Sequence, residues 1–494
     1  MTRRHAVARL GSVAVVGSGP NGLAAAVTLA RAGLAVEVFE RNDWAGGGAA
    51  TREITLPGFR HDVASAVHPM ALASPFFREF GLARRIDLVV PEVSFAHPLP
   101  GRGGHGYRDL DRTAADLGRD GPAYRRLLRP LVDHLDGVVD LAMNPLLRLP
   151  RDPLAAGLYG VRVAEAGSPA WGARFDGDIA PAMLTGCAAH AIGRHPGPAA
   201  AGGGLLLAAT AHRAGWPIPV GGSQSITDAL VADLRAHGGR LRLGTEVTEL
   251  RQLDGFDAAV LDVSARALAT LGGDRLPDRY RRALARFRPG DGVSKVDFAL
   301  AGPVPWSDPV VGQAPTVHLG GTRAQIAAAE RMVLRGGIPE HPYVLVAQPS
   351  VVDPSRAPDG KAVLWAYLHV PFGSDFDATQ AVTAAVEEHA PGFRDLVLAS
   401  TATPATELGA AVSANFAGGD FASGAITMRQ LIKRPVLSPV PWRTPLSGVY
   451  LASGATSPGP AVHGMAGWHA ARTLLSDNGF EVPQLGPGVT TTRR

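Results

Sequence analysis

The chain is poor in residues that several kinds of functional site require. Its 494 residues include one cysteine, Cys187. A disulfide framework, a cysteine zinc site and a dithiol redox centre formed within this chain are therefore excluded. Lysine is also scarce, because almost all of the positive charge is carried by arginine. That usage is typical of a GC-rich bacterial genome, so we expect a bacterial protein.

Long hydrophobic runs and concentrated charge are absent as well. No apolar run reaches about 18 residues, so we predict no transmembrane helix. The net charge is +4. The most basic stretch, 279–288, is interpreted as a solvated helix face, and no nucleic-acid partner is expected. The segment Thr2-Arg3-Arg4-His5 resembles a twin-arginine signal. We instead assign the apolar residues behind it to a strand and a helix, and expect a cytoplasmic location.

A glycine-rich turn near the start of the chain predicts a dinucleotide site. Residues 12–17 form a short apolar run, as in a buried parallel strand, and Gly17-Ser18-Gly19-Pro20-Asn21-Gly22 follows at once. Leu23, Ala26, Val27 and Ala30 then recur at helical spacing. In such a unit the glycines permit the turn and the close approach of a pyrophosphate to the helix N-terminus. Glu40, at the end of a second predicted strand, has the spacing of a ribose-binding carboxylate.

Further glycines favour FAD over a nicotinamide cofactor. Gly46-Gly47-Gly48 follows soon after Glu40, and 453–455 forms another small-residue segment after an apolar strand. A large extended cofactor needs contacts from such distant parts of the chain. A second strand, glycine-rich turn and helix for NAD(P)H is not found. No histidine cluster has metal-ligand spacing, so no metal site is predicted.

The distribution of these patterns predicts a discontinuous α/β architecture. We assign 1–95, 205–290 and 440–494 to one Rossmann-type FAD-binding domain. We assign 96–204 and 291–439 to an inserted α+β substrate-binding domain. The tail after Pro483 is predicted to be disordered.

The motifs resemble those of the phytoene desaturase and amine oxidase flavoprotein superfamily. The similarity is spread over VAVVGSGPNGLAAAVTLARAGLAVEVFERNDWAGGGAAT, GWPIPVGGSQSITDALVADLRAHGGRLRLGTEV and GVYLASGATSPGPAVHGMAGWHAAR. The segment VSKVDFALAGPVPW resembles a phytoene-dehydrogenase-like subgroup, which includes pyridine nucleotide-disulphide oxidoreductase domain-containing proteins. The resemblance implies a two-domain FAD-dependent oxidoreductase.

The resemblance also implies roles for particular residues. Gly17, Gly19 and Gly22 would hold the pyrophosphate, and Glu40, with Arg41 beside it, the adenosine ribose. Gly46 and Gly47 match the family's Gly-Gly pair. The further positions are Val247 at the adenine, Gly454 and Ala455 at the pyrophosphate or ribityl chain, and His463, Gly464 and Met465 at a helix start that faces the flavin pyrimidine.

One position departs from the family pattern. The residue after the Gly-Gly pair is usually arginine in both branches, and here it is Gly48. The cysteine used for covalent flavin attachment near the C-terminus is missing too. We therefore expect FAD to be bound non-covalently.

Three residues are candidates for catalysis. Lys295 lies on an alternating strand whose matching lysine, in amine oxidases, lies near flavin N5 through a water. We hypothesise that Lys295 positions a water or tunes N5, against the alternative of an exposed edge-strand lysine or an ion pair with Asp297. His68 belongs to a segment expected to run toward the isoalloxazine ring, and His463 is placed by its motif. Core positions remain an alternative for both histidines, and Trp216 is either a channel or a core residue.

The superfamily implies hydride transfer from a C–H bond of an apolar, polyene or lipid-like small molecule to flavin N5. The alternatives are an amine oxidase that uses O₂ and a flavin-binding interaction protein with little turnover. An aromatic pair facing the flavin would favour amines, and a long apolar tunnel would favour lipids. The electron acceptor, O₂ or quinone, and a peripheral membrane contact are left open.

Overall fold

The computed structural model describes residues 10–487, which form two large sheets and the helices packed on them. The arginine pair near the start and residues 488–494 lie outside this range. The strands are β1 (Ser12–Val16), β2 (Ala35–Phe39), β3 (Thr51–Glu53), β4 (Arg60–Asp62), β5 (Leu88–Val89), β6 (Val93–Leu99), β7 (Arg102–Tyr107), β8 (Ile218–Pro219), β9 (Arg240–Arg242), β10 (Ala258–Leu261), β11 (Gly292–Leu300), β12 (Thr316–Leu319), β13 (Val344–Ala347), β14 (Ala362–Val370), β15 (Val397–Thr403) and β16 (Val449–Leu451). The helices are α1 (Pro20–Arg31), α2 (Pro69–Ala73), α3 (Pro75–Phe80), α4 (Leu110–Asp116), α5 (Gly121–Asp133), α6 (Leu135–Ala142), α7 (Pro153–Ala166), α8 (Ile179–Ala188), α9 (Pro198–Ala211), α10 (Gln224–Ala236), α11 (Ala265–Gly272), α12 (Asp278–Ala285), α13 (Arg323–Val333), α14 (Thr379–His389), α15 (Phe393–Leu396), α16 (Ala405–Ala411), α17 (Met428–Ile432) and α18 (Met465–Asp477).

The first sheet is parallel, with the strand order β16-β10-β1-β2-β9. Strand β1 is buried on both faces because its side chains alternate between two cores. Val13 and Val15 pack with helices α1, α10 and α18. Ala14 and Val16 pack on the opposite face with α11. This double coverage explains the continuous apolar run that marks β1 in the sequence.

The second sheet has the order β15-β11-β14-β13-β12-β6-β7. Its neighbouring strands are antiparallel except β12 and β6. One face buries Val296, Phe298 and Leu364 against α14 and α15. The other face lines the functional cavity described below, so every residue of β11 and β14 is buried.

The predicted α/β fold class, with a Rossmann-type sheet and a second sheet-containing unit, is confirmed. The sequence boundaries of the two domains stay a prediction. Within residues 10–487, no helix is long and apolar enough to cross a membrane.

The predicted disorder after Pro483 is wrong for the part of the tail that the structure describes. The side chain of Leu485 is fully buried in the core that contains α1 and α18. Arg31 donates hydrogen bonds to the carbonyl oxygens of Gln484 and Gly486. The buried Leu485 side chain and the hydrogen-bonded backbone carbonyl groups hold this segment in place. The composition of the segment does not indicate these contacts.

Candidate functional site

A cavity of about 940 Å³ extends from the carboxyl end of the first sheet to the second sheet. This volume is at the upper end of the range of about 300–1,000 Å³ for ligand pockets. The predicted site residues that line it are Gly17, Gly19, Pro20, Asn21, Glu40, Arg41, Gly47, Gly48, His68, Val247, Lys295 and Gly454. Ser18, Gly22, Gly46, Ala455, His463, Gly464 and Met465 do not line the cavity and lie behind its wall.

The glycine-rich turn is closed by backbone contacts that leave no room for side chains. A Cβ at position 22 would lie 2.0 Å from the carbonyl oxygen of Gly17. Gly17 itself has a φ of 94°, in the left-handed region that favours glycine. A Cβ on Gly47 would meet the Cα of Gly19 at 3.3 Å. The turn and Gly47 therefore present bare backbone to the cavity.

Glu40 ties the turn to the second strand. Its Oε2 accepts hydrogen bonds from the Ser18 N–H at 2.9 Å and the Ser18 hydroxyl at 2.7 Å. Its Oε1 accepts from the N–H of Asn42 at 2.9 Å. Arg41 donates to the backbone carbonyl of Gly409. Glu40 is thus held at the cavity wall with its side chain directed at the turn.

Asp262 is a site residue that the sequence reasoning missed. It directly follows β10, which neighbours β1, and its Oδ2 accepts a hydrogen bond from the N–H of Gly22 at 3.0 Å. Burial raises the pKa of Asp262 to about 7, and the Glu40 carboxylate acts in the same direction. The signal was an acidic residue at the carboxyl end of a parallel strand beside the glycine-rich strand.

The missing arginine after the Gly-Gly pair has a structural counterpart. A Cβ on Gly48 would lie 3.1 Å from the ring of Phe416 and 3.4 Å from Ala64. Phe416 lines the cavity and belongs to the connection after α16. An aromatic ring therefore fills the space that a side chain at position 48 would need.

His463 is held by local backbone contacts behind the cavity wall. Its Nδ1 accepts a hydrogen bond from the N–H of Met465 at 3.0 Å, and its Nε2 contacts the Gly459 carbonyl oxygen at 3.1 Å. Gly464, with a φ of 68°, precedes helix α18. The structure therefore gives His463 the position of a helix-capping residue and does not bring its side chain to the cavity as the catalytic hypothesis required.

His68 does line the cavity, at the start of α2. Its Nε2 contacts the Ser223 hydroxyl at 2.7 Å, and burial lowers its pKa to about 4. Its Nδ1 has no hydrogen-bond partner among the described residues. His68 is therefore a neutral imidazole at the cavity wall, with one buried ring nitrogen that is unpaired among the described residues.

Lys295 is buried, with 4% of its surface exposed, and lies on β11, an internal strand next to the edge strand β15. This position rules out an exposed edge-strand lysine. Its Nζ forms an ion pair with Asp297 and lies 5.5 Å from the centroid of the Trp365 ring. Burial raises the pKa of Asp297, while the Lys295 ammonium opposes that shift.

A chain of polar groups continues from this ion pair toward the surface. His61 Nδ1 lies 3.6 Å from Asp297 Oδ1. His61 Nε2 contacts the hydroxyl of half-buried Thr55 at 2.8 Å. Burial and the charges of Lys295 and Arg356 lower the pKa of His61 to about 3, so its ring is neutral near pH 7.

The wall of the cavity beyond Lys295 is predominantly apolar. Trp365 and Tyr367 of β14 stack with ring centroids 5.8 Å apart. The chamber then continues past Trp216 along α9 and α7. The apolar or aromatic residues that line this arm include Met143, Leu146, Tyr159, Val163, Leu206, Leu207, Trp216 and Met428. Cys187 also lines the chamber, and burial raises the pKa of its thiol.

The geometry of the cradle fits a dinucleotide. Bare glycine backbone, the N-terminus of α1 and the Glu40 carboxylate lie together at one end of the cavity. The buried Oδ1 of Asn21, beside the turn, has no hydrogen-bond partner among the described residues. Fold and site together define a dinucleotide-binding protein whose cofactor cradle opens into an apolar chamber.

Comparisons with known proteins agree with this class. The model of the NAD(P)-binding Rossmann-like domain matches residues 15–80. The rat pyridine nucleotide-disulfide oxidoreductase domain-containing protein 2 is 24% identical, over 94% of this chain and 93% of the relative. The neurosporene-forming phytoene desaturase of Rhodobacter capsulatus is 25% identical, over 73% of each chain.

Among solved structures, cyclohexylamine oxidase from Brevibacterium oxydans aligns with a TM-score of 0.55 and 16% identity, over 95% of this chain and 99% of that chain. At this identity the likeness establishes the fold alone. Over most of its length the chain is similar in sequence to these two relatives and in fold to this oxidase, in agreement with the predicted resemblance to the superfamily of FAD-dependent amine oxidases and desaturases. The predicted recognition and the predicted class of enzyme, an oxidoreductase, are confirmed.

Proposed function

We propose that the protein binds FAD non-covalently and dehydrogenates an apolar small molecule, forming a carbon–carbon double bond. The observation that carries this proposal is the continuity of one cavity from the dinucleotide cradle to the apolar chamber, with buried Lys295 on its wall. When bound, FAD supplies a two-electron acceptor for a hydride from a substrate C–H bond. The chain must then position that bond, exclude water and remove a proton.

The residues around Lys295 meet the second and third requirements. Trp365, Tyr367 and Leu345 provide an apolar wall that excludes water from the reacting bond. Desaturation releases a proton from the neighbouring carbon as the hydride leaves. Asp297 is not among the residues that line the cavity, so Lys295 first gives one of its protons to the Asp297 carboxylate, whose pKa burial raises. The Lys295 amine then takes up the proton from the substrate. Lys295 also positions a water or adjusts the electrostatic potential beside the reacting bond.

His61 and Thr55 give this proton a route out of the cavity. Closing the 3.6 Å gap between Asp297 Oδ1 and His61 Nδ1 needs a shift of less than about 1 Å. A neutral imidazole can accept a proton at one nitrogen while it releases another to the Thr55 hydroxyl. The route therefore ends at a half-buried residue near the surface.

The Lys295→Met variant tests this assignment. We expect FAD to stay bound and the rate of flavin reduction by substrate to fall by about 10²-fold or more, the usual range for loss of a proton-transferring group. The measurement is stopped-flow reduction under anaerobic conditions. Lys361→Met, at an exposed position, is the matched control. A rate within a factor of two of the unmodified protein, with FAD bound, would contradict the role of Lys295.

The identity of the electron acceptor decides between the two enzymatic functions. The FAD-loaded protein is reduced anaerobically with light or dithionite and mixed with oxygenated buffer or with a quinone. Slow reoxidation by O₂ and fast reoxidation by the quinone support the dehydrogenase. Fast reoxidation by O₂ with release of hydrogen peroxide supports an oxidase and overturns the proposal.

An amine oxidase is the second candidate, favoured by the aromatic residues Trp365 and Tyr367. The two rings, however, are arranged as one side of the cavity and not as a pair that encloses a substrate between its faces. A carbon chain between two ring faces needs them about 7 Å apart, twice the contact distance of about 3.5 Å. The two rings are 5.8 Å apart, nearly parallel, and stack on each other. The neighbouring Lys295 ammonium also disfavours a protonated amine.

A flavin-binding interaction protein with little turnover is the third candidate. It predicts weak retention of FAD during purification and no reduction by any of the apolar or amine substrates. Stoichiometric FAD together with reduction by one of them would exclude it.

We also propose that the protein is cytoplasmic and contacts a membrane surface, from which the substrate enters the cavity. Leu146 and Met428 both line the cavity, and each is 38% exposed. Other exposed apolar side chains follow them in the sequence: Leu147, Leu149, Leu154, Val161, Ile432 and Leu437. These eight residues form the apolar rim. An exposed apolar patch at a cavity mouth is typical of a contact with a partner or a lipid surface.

A further inference from the structure

Two polar side chains on the wall of the apolar chamber have hydrogen-bonding groups without a protein partner. Thr316 of β12 is 2% exposed and lines the cavity, and its Oγ1 makes no hydrogen bond among the described residues. His190, just after α8, lines the cavity beside Trp216. Leaving a buried hydroxyl unpaired is unfavourable, and a ligand group that pairs with the hydroxyl removes this penalty.

The orientation of His190 is fixed from behind by a second histidine. His190 Nε2 and His318 Nε2 lie 2.8 Å apart, so a single proton lies between the two rings. His318 projects from the same face of β12 as Thr316, two residues along the strand. Thr316 and His190 therefore belong to one patch of the cavity wall.

The surroundings of His318 decide which ring carries that proton. Its Nδ1 is buried and has no hydrogen-bond partner among the described residues. If His190 donated, His318 would have to carry its own proton on this nitrogen, as an unpaired buried N–H. Such donors are rarer in proteins than unpaired acceptors. His318 Nε2 is therefore the donor, His190 Nε2 is the acceptor, and His190 carries its proton on Nδ1.

Both rings are neutral. Burial lowers the pKa of His190 to about 3 and that of His318 well below its ordinary value. The patch therefore holds two uncharged donors, the His190 Nδ1–H and the Thr316 hydroxyl, whose oxygen is buried in the cavity wall. Uncharged donors in an apolar chamber suit a neutral acceptor oxygen better than a carboxylate, whose charge would be desolvated without a counter-ion.

We propose that His190 and Thr316 form a subsite for a neutral carbonyl oxygen on an otherwise apolar substrate. The inference deepens the proposed function and rests on it, since it places the substrate in the same cavity. It makes the substrate a long-chain or polyene carbonyl compound and distinguishes it from a pure hydrocarbon.

The sheet register also gives the distance between the proposed carbonyl subsite and the reacting carbon. Lys295 pairs with Tyr367, Tyr367 with Leu345, and Leu345 with His318. Three strand spacings of about 4.8 Å separate Lys295 from His318, or about 14 Å. The carbonyl group would then lie roughly ten carbon atoms from the carbon that reacts beside Lys295.

Ligand binding to the FAD-loaded protein tests the subsite without turnover. The probes are 2-decanone, 1-decene and decanoate, with dissociation constants measured by calorimetry. We expect 2-decanone to bind most tightly. His190→Leu and Thr316→Val should each raise the dissociation constant of 2-decanone by roughly 3- to 10-fold, which corresponds to the loss of one net hydrogen bond. Binding of 1-decene should change by less than twofold. Thr185→Val removes a buried hydroxyl outside this cavity and is the matched control.

Histidine ¹⁵N NMR reads the tautomers independently of any ligand. We expect Nδ1–H on His190 and Nε2–H on His318, with the His190 signals assigned from the His190→Leu variant. Observation of the opposite tautomers would overturn the subsite. So would variants that weaken the binding of 2-decanone and of 1-decene equally. Failure of 2-decanone to bind, or tighter binding of decanoate than of 2-decanone, would overturn it as well. Failure of the proposed function is separate: it appears as peroxide-forming reoxidation or loss of FAD and leaves the tautomers unchanged.

Discussion

Asp262 places a carboxyl group in the dinucleotide cradle, where a pyrophosphate would bring further negative charge. Its Oδ2 is bound to the Gly22 N–H, at the N-terminus of α1. An ionised Asp262 would repel the phosphates, whereas a protonated one would not. Because burial already raises its pKa to about 7, a bound dianion would raise that pKa further.

This arrangement predicts that FAD affinity depends on pH. Above pH 7 the free protein has lost the Asp262 proton, and binding must take it up again. The dissociation constant should therefore rise by up to about tenfold per pH unit above 7 and level off below it. Asp262→Asn should bind FAD with the same affinity throughout. The measurement is quenching of FAD fluorescence from pH 6 to pH 9.

Asp257→Asn is the control for this prediction. Asp257 lies at the opposite end of β10 and accepts hydrogen bonds from the N–H groups of Gly11 and Ser12. Its replacement should lower stability and leave the pH profile of FAD binding unchanged. A flat profile in the unmodified protein would show that Asp262 moves away or stays protonated.

At the scale of elements, the contact between β1, the turn and α1 depends on the absence of one methyl group. The hypothetical Cβ of residue 22 lies 2.0 Å from a backbone oxygen, which cannot move as a flexible side chain would. The turn cannot adopt this form with any larger residue at position 22.

Gly22→Ala should therefore abolish FAD binding and lower the free energy of unfolding by about 1–3 kcal/mol, the usual cost of overpacking. Gly157→Ala is the matched control, because Gly157 lies within α7 and a Cβ there meets nothing within 4 Å. This control should gain about 0.5–1 kcal/mol. Urea unfolding and FAD titration measure both effects. Equal stability of the two variants would contradict the packing argument.

The alternation of β11 was predicted from sequence, and its place in the sheet was not. Val293, Lys295 and Asp297 share one face, as the pattern indicated. Internal strands and edge strands show the same alternation of apolar and polar residues, because a two-residue period indicates only which side chains share a face. Pairing with β14 and β15 on both sides decided that Lys295 is buried.

At the scale of the whole molecule, we propose that the apolar rim, two of whose residues line the cavity, is where an apolar substrate enters. Exposed Arg151, Arg429 and Lys433 lie among the rim residues in sequence. Basic side chains beside apolar ones favour the surface of an anionic bilayer.

We expect the protein to co-sediment with vesicles that contain phosphatidylglycerol and less with pure phosphatidylcholine. The double variant Leu149→Asp and Leu437→Asp should lose most of this binding, because both exposed side chains would bring charge to the lipid surface. Leu334→Asp, at an exposed apolar position at the end of α13 and outside the rim, should bind as the unmodified protein does. Retention of binding by the double variant would refute the rim as the contact surface.

The sequence by itself determined the cofactor end of the molecule. A turn that needs glycines, its flanking strands and helix, and the acid after β2 are local features, fixed by backbone sterics over about 30 residues. The positions of Gly17, Gly19, Gly47 and Glu40 at the cavity could be read from that pattern.

Only the tertiary structure decided the rest. His463 belongs to a clear local motif yet does not line the cavity, whereas Asp262, Phe416, His190 and Thr316 line it without such a motif. These residues meet across separations of more than a hundred positions, through sheet register and helix packing. Such contacts follow from long-range pairing and burial, which no local spacing in the sequence records.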